Sequence, residues 1–226
     1  MKAHNRESQS QMTPEKALQY LVEGNKRFME SLSKNRNLLQ QVNETSDGQW
    51  PFAIILSCID SRTSAELIFD QGLGDIFSVR IAGNFSNTDI LGSLEFACKV
   101  AGSKLVVVLG HSKCGAIKGA CDDVKLGNLT SMLANIKPAV SAVKLPAEPQ
   151  FRNSSNADFV EAVAHMNVEM TMAEILENSD VLREMYENKE IGIVGGMYDV
   201  ETGQVDFINC MNKTSLQKVI ETRYVI

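Results

Sequence analysis

The sequence predicts an α/β fold, a mostly parallel central sheet flanked by helices and preceded by an N-terminal helical arm. Three observations carry this expectation. Short apolar runs have the length of buried strands, Phe52-Ala53-Ile54-Ile55-Leu56 and Leu105-Val106-Val107-Val108-Leu109 being the clearest. Capped, helix-length segments stand between such runs. Polar clusters follow both runs directly, where a parallel sheet carries its functional groups.

Taken in order, the polar residues 1–12 are expected as a disordered tail, and residues 13–226 as a single α/β domain. Thr13 can cap a helix that has Pro14 at its first position and Ala17, Leu18, Leu21, Val22 and Phe28 roughly on one face. A polar stretch over 31–47 follows, so this helix is expected to stand away from its own core and to pack on a partner. Strands are expected at 52–57, 76–81, 104–109 and 190–195. Between them fall a short helix near 64–71 and a longer one over 89–101, with Thr88 as cap and Gly102 as stop. A long helical region, 114–178, breaks near Pro138 and at Pro146-Ala147-Glu148-Pro149, and Ser179 caps a last short helix. Tyr198-Asp199-Val200-Glu201-Thr202-Gly203 reads as a hairpin turn into a fifth strand, Val205-Asp206-Phe207-Ile208, antiparallel to the fourth. The expected spatial order is 2-1-3-4, which places a topological switch point between strands one and three.

Composition narrows the function. A formal charge of -6 and a pI near 5.2 argue against the clustered basic surface that nucleic acid requires, and no apolar run is long enough to span a membrane. The polar N-terminus has no hydrophobic signal core, so a cytoplasmic location is expected. Cysteine is present five times, an odd number, with two at metal-ligand spacing, which disfavours a secreted disulfide framework. Cys98, Cys121 and Cys210 read as packing residues. His165, on a helix without a placed partner, reads as structural rather than as a proton shuttle, and the methionines as gap fillers. Gly110-His111-Ser112-Lys113-Cys114-Gly115 is not a phosphate loop, because Ala116 and Ile117 stand where Lys and Ser or Thr are required.

The chemistry lies in Cys58-Ile59-Asp60-Ser61-Arg62 and His111-Ser112-Lys113-Cys114. Two thiolates, an imidazole and a carboxylate suit zinc better than the oxygen-seeking magnesium or calcium. Arg62 can form a bidentate pair with Asp60 and so hold it off the metal. A catalytic zinc needs an exchangeable fourth position, whereas four fixed protein ligands make a structural site. Asp60 is the group able to toggle between the two.

These residues resemble the β-class carbonic anhydrases, whose pattern Cys-x-Asp-Ser-Arg and later Gly-His-x-x-Cys-Gly is matched by Cys58 to Arg62 and Gly110 to Gly115. The resemblance extends through Gln49-Trp50-Pro51-Phe52, Arg80-Ile81-Ala82-Gly83-Asn84 and Ser93-Leu94-Glu95-Phe96-Ala97, and covers about residues 13–210. It implies Zn2+ held by Cys58, His111 and Cys114, with Asp60 as a fourth ligand in a closed state only. It also implies reversible hydration of carbon dioxide to bicarbonate and a proton by zinc-bound hydroxide, which Asp60, fixed by Arg62, would orient. Gln49 matches a residue that donates to a substrate oxygen, and Phe77 and Phe96 match walls of the carbon dioxide pocket. Phe96 stands where many plant-type relatives have Tyr, Ile81 where many have Asn and Thr63 where Val is frequent. A homodimer or homotetramer is expected, because exchange of the N-terminal helix between copies would bury its apolar face. A hydrolase of carbonyl sulfide or carbon disulfide using the same hydroxide is a second enzyme reading, and a zinc-stabilised interaction module the non-enzymatic one.

Overall fold

A computed structural model of the chain describes residues 3–210. Its five-stranded sheet comprises β1 (Ala53–Ser57), β2 (Ile76–Arg80), β3 (Leu105–His111), β4 (Gly192–Tyr198) and β5 (Val205–Cys210), in the order β2-β1-β3-β4-β5. The first four strands run parallel and β5 is antiparallel to β4, as expected. Because β1 and β3 are buried on both faces they read as unbroken apolar runs, and alternate residues feed different cores. Ile54 and Leu56 join one cluster with Val106 and Val108, while Ala53 and Ile55 join the other with Leu105 and Val107.

The helices are α1 (Arg6–Ser10), α2 (Pro14–Met29), α3 (Leu38–Glu44), α4 (Ala65–Ile68), α5 (Thr88–Glu95), α6 (Gly115–Cys121), α7 (Gly127–Ala134), α8 (Lys137–Ala142), α9 (Ala157–Asn178) and α10 (Asp180–Glu187). A π-helical turn, Phe96–Val100, extends α5. The cap of α5 is Asn87 rather than Thr88, its Oδ1 accepting from Ile90 N at 2.9 Å. Ser179 caps α10 as expected, accepting from Leu182 N at 3.1 Å. Pro138 lies in the first turn of α8, so it opens a helix where the sequence suggested only a break.

Two expectations for the N-terminal region are corrected. The tail is not structureless: α1 has a full capping box, and Gln9 donates its amide to Pro51 O and Ala101 O, both at 2.8 Å. Nor does α2 stand away as an arm. Thr13 and Pro14 start it as read, but Ala17, Leu18 and Leu21 are buried against the chain's own Phe52, Ile55 and Phe69. The polar stretch after it is drawn back by Asp70, which pairs with Arg27 at 2.5 Å and with Arg36. The role expected of the Cys210 thiol, and residues 211–226, lie outside the described residues.

Leu18→Ala is therefore expected to cost about 2–5 kcal/mol in urea unfolding, as a large-to-small change in a packed core. Leu39→Ala, at a side chain 72% exposed, should stay within about 0.5 kcal/mol. Equal stabilities for the two variants would show that α2 does not pack on its own sheet in solution.

Candidate metal centre

Three strand-to-loop junctions at the carboxyl edge of the sheet build the site. β1 ends at Ser57, in register with Arg80 at the end of β2 and with Leu109 of β3. The chain leaving β1 turns at once, because Thr63 N donates to Asp60 O at 3.0 Å and the Thr63 hydroxyl lies 3.1 Å from Cys58 O and 2.9 Å from Asp60 O. Arg80 secures the same turn from β2, donating Nε to Cys58 O at 2.9 Å and Nη2 to Asp60 O at 2.5 Å. Thr63 and Arg80 thus hold the backbone that presents both Cys58 and Asp60.

Beyond β2 the chain crosses the site at Gly83, which has φ +85 and whose N donates to Cys58 Sγ at 3.4 Å. A Cβ at Gly83 would meet Ile136 Cδ1 at 2.4 Å and force that side-chain end to shift, but it is the backbone conformation that calls for glycine. Asn167 of α9 donates to Gly83 O at 2.8 Å and fixes the crossing. His111 ends β3 and Cys114 follows it across a turn with Lys113 in the left-handed region, Cys114 leading into α6.

These junctions bring the ligand atoms of Cys58, His111 and Cys114 within 4.8 Å of one another, all three residues being buried. The two sulfurs are 3.9 Å apart. His111 Nδ1 donates to Ser112 O at 2.9 Å, leaving Nε2 as the nitrogen with a free lone pair. That Nε2 is buried and makes no hydrogen bond. An unpartnered buried nitrogen beside two thiols is costly for a protein to keep unless a cation takes all three donors, and this donor set fits a soft or borderline divalent metal.

The electrostatics agree. A hydrogen bond from the Cys114 thiol, with further help from the Gly83 N–H, lowers the Cys58 thiol against the opposing effect of burial and so favours its thiolate. The interaction with Cys58, together with burial, pushes the Cys114 thiol up. Asp60 stands beside the cluster and forks onto Arg62, its Oδ1 accepting from Arg62 Nε at 2.9 Å and its Oδ2 from Nη2 at 2.8 Å. That guanidinium, aided by the Arg62 N–H, holds the Asp60 carboxyl well below the usual carboxylate range. Away from the cluster, burial raises the Cys98 thiol to about 12 and the Cys121 thiol to about 11, consistent with inert packing residues.

Gln49, Phe77 and Phe96 are not brought to this cluster. Phe77 is in register with Ile54, four residues before Cys58, or about 13 Å along the strand at ~3.3 Å per residue. Its ring lies 6.3 Å from that of Phe96, and both line an open groove of about 510 Å³ with Thr88, Gly92 and Ser93. Gln49 is exposed ahead of β1, at the amino edge of the sheet. Strand polarity accounts for the separation, since the candidate ligands and Phe77 lie toward opposite ends of the β1–β2 pair. The sequence reading gave no role to Ser112, Gly83 or the Thr63 hydroxyl. Each lies within or beside a recognised motif, but its contact is made across the fold.

A parallel sheet with two thiols and an imidazole gathered at its carboxyl edge defines an α/β metalloenzyme. A carbonic anhydrase family model matches residues 53–205. Carbonic anhydrase 2 of Mycobacterium tuberculosis is 34% identical over 194 residues, covering 84% of this chain and 91% of its own. The carbonic anhydrase of Mycolicibacterium smegmatis is 32% identical over 200 residues, covering 85% and 92%. The solved structure of the β-carbonic anhydrase CcaA superposes with a TM-score of 0.63 and 25% identity over 85% of this chain and 95% of that one. A Coccomyxa β-carbonic anhydrase, 18% identical and covering 91% of this chain and 97% of its own, shares the fold with a TM-score of 0.67. The chain belongs to the β-carbonic anhydrase family, whose general reaction is the hydration of carbon dioxide.

Proposed function

We propose that this chain hydrates carbon dioxide reversibly to bicarbonate and a proton, with zinc held by Cys58, His111 and Cys114. The observation that carries the reading is the buried, unpartnered His111 Nε2 facing two thiols beside the Asp60–Arg62 pair. When bound, zinc supplies a Lewis acid that makes water reactive at physiological pH. Asp60, acceptor-only while ionised, takes a hydrogen bond from the attacking water and aims its lone pair at the substrate carbon. Arg62 keeps Asp60 in that position. The released proton passes to buffer. With Arg62 turned away, Asp60 would be free to serve as a further ligand to a bound zinc and so shut the site. A reducing, cytoplasmic setting suits ligand thiols, and no helix among the described residues is long and apolar enough to cross a membrane.

Stopped-flow hydration of carbon dioxide by the zinc-loaded protein is the direct test. A protein holding one zinc per chain yet inactive from mildly acidic to alkaline pH would refute the reading.

Because the groove of Phe77 and Phe96 lies far from the cluster in its own chain, these residues and Gln49 serve substrate only when supplied by a second copy. A homodimer is then the minimum unit, and a tetramer a pair of such units. Gln49→Ala should lower kcat/KM about tenfold, the loss of roughly one neutral hydrogen bond, with zinc content unchanged. Phe96→Tyr should change the rate only modestly. Mixing Gln49→Ala and Cys114→Ala protomers should regain activity, since the metal-competent chain then receives Gln49 from its neighbour. A mixture no more active than the sum of its parts would place Gln49 in its own chain's site.

A further inference from the structure

The turn that carries His111 and Cys114 is held from outside, by the hairpin between β4 and β5. Ser112 N donates to Tyr198 O at 2.9 Å, and Val200 N donates to Ser112 Oγ at 3.0 Å. Lys113 pairs with Glu201 at 2.6 Å, but both side chains are at least half exposed and the pair contributes little. The hairpin turn is itself anchored. Asp199 N donates to Gln204 O at 2.8 Å, and the Asp199 carboxylate accepts from Glu201 N at 2.7 Å. Gly203, at φ +77, presses so closely on Phe28 of α2 that a Cβ there would lie 2.9 Å from its ring. Asn25 of α2, fully buried, donates to Gly203 O at 2.8 Å and to Ile68 O at 3.2 Å and accepts from Val205 N at 2.9 Å.

Ser112 therefore joins two systems. Its carbonyl receives the His111 Nδ1 proton at 2.9 Å, while its amide and hydroxyl engage a hairpin clamped to α2 and α4. We propose that Ser112 is a positioning residue for the metal site, its hydroxyl latching the ligand turn to the β4–β5 hairpin so that the His111 ring and the Cys114 sulfur are held at one fixed separation. The proposal rests on the reading of Cys58, His111 and Cys114 as metal ligands. Loss of the hydroxyl leaves the Val200 N–H without its acceptor and frees the turn to rotate about the left-handed Lys113. Groups bonded directly to a ligand typically change metal affinity by about 10–100-fold, and the Ser112 hydroxyl, one bond further out, is expected at the lower end of that range.

The test compares the full-length wild-type chain with Ser112→Ala and Ser112→Thr, each loaded with zinc and, separately, with cobalt(II). Chelator competition gives affinity, the cobalt d–d bands report ligand geometry, and the thermal midpoint of the metal-free protein reports folding. Ser112→Ala removes one hydroxyl and adds no volume. It should bind both metals about tenfold more weakly, with shifted d–d bands and a metal-free midpoint lowered only by the loss of one part-buried hydrogen bond. Ser112→Thr, which keeps the hydroxyl, should restore affinity and spectrum. The proposal is overturned by wild-type affinity and bands in Ser112→Ala, by a threonine variant as weak as the alanine one, or by a loss of affinity fully matched by lost metal-free stability. A wild-type chain that takes up neither metal overturns the ligand reading and this proposal together.

Discussion

Cys114→Ala is expected to weaken zinc binding by about 10²–10³-fold and to reduce carbon dioxide hydration in step with the metal lost. The estimate takes a structural-type zinc affinity of roughly 10–16 kcal/mol shared over four positions, so that one ligand accounts for about 2.5–4 kcal/mol. The sulfur lost is one of a pair 3.9 Å apart, and alanine leaves no donor in its place. Cys98→Ala and Cys121→Ala serve as controls, because those thiols are held in their neutral form and belong to no ligand cluster found among the described residues. Both should keep full zinc. The acid dependence follows from the same pair. The pair divides its charge unevenly, the Cys58 thiol being lowered and the Cys114 thiol pushed up, so the Cys114 thiol at least must lose its proton for the metal to bind. Each metal taken up near neutral pH then releases at least one proton, and affinity should fall at least about tenfold per unit as pH drops. Elemental analysis and chelator titration measure both effects. Full zinc and full activity in Cys114→Ala would remove that residue from the site.

Asp60→Asn is expected to lower kcat by about 10²–10³-fold with zinc retained, within the range for losing a positioned proton acceptor. The amide keeps the volume but turns an acceptor-only group into one that also donates. Arg62→Ala should be comparably slow for another reason. Without the guanidinium that donates to both carboxylate oxygens at 2.9 and 2.8 Å, Asp60 would be free to turn toward the ligand cluster. The two variants separate by pH. The Asp60 carboxyl is depressed by Arg62, so the stability this pair adds is present above the ordinary carboxylate range and is lost only as pH falls through the lowered value. Protonation of Asp60 therefore explains no loss of activity in mild acid, where it remains an anionic ligand in waiting. Wild type should weaken toward acid as Asp60 displaces water, Arg62→Ala should do so from a higher pH, and Asp60→Asn should not show that inhibition. Parallel acid limbs for all three proteins would eliminate Asp60 as the gate, while leaving the hydratase reading untouched.

Strand positions and the grouping of Cys58, His111 and Cys114 were legible in the chain because each depends on local pattern, and the expected 2-1-3-4 order with an antiparallel fifth strand agrees with the sheet. An apolar run such as Leu105 to Leu109 is a buried strand whatever surrounds it, and Cys-x-Asp and His-x-x-Cys set ligands at spacings that one turn can bring together. The Asp60–Arg62 fork spans only two residues and belongs to the same class. The cap of α5 was misplaced by one residue because Asn87 and Thr88 are both competent caps and only the backbone path selects between them. The destination of the N-terminal helix was not legible, since an apolar face states that it will be buried without stating against what. Tertiary packing placed Leu18 and Leu21 on the chain's own Phe52 and Phe69. Tertiary structure alone also separated Gln49, Phe77 and Phe96 from the cluster, because strand polarity turns sequence proximity along β1 and β2 into distance across the sheet. The supports of the ligands, Gly83 against Cys58 and Val200 on Ser112, join residues 25 and 88 positions apart. Such contacts are a property of the closed fold: a hydrogen bond between distant segments leaves no period, cap or spacing in the sequence that precedes it.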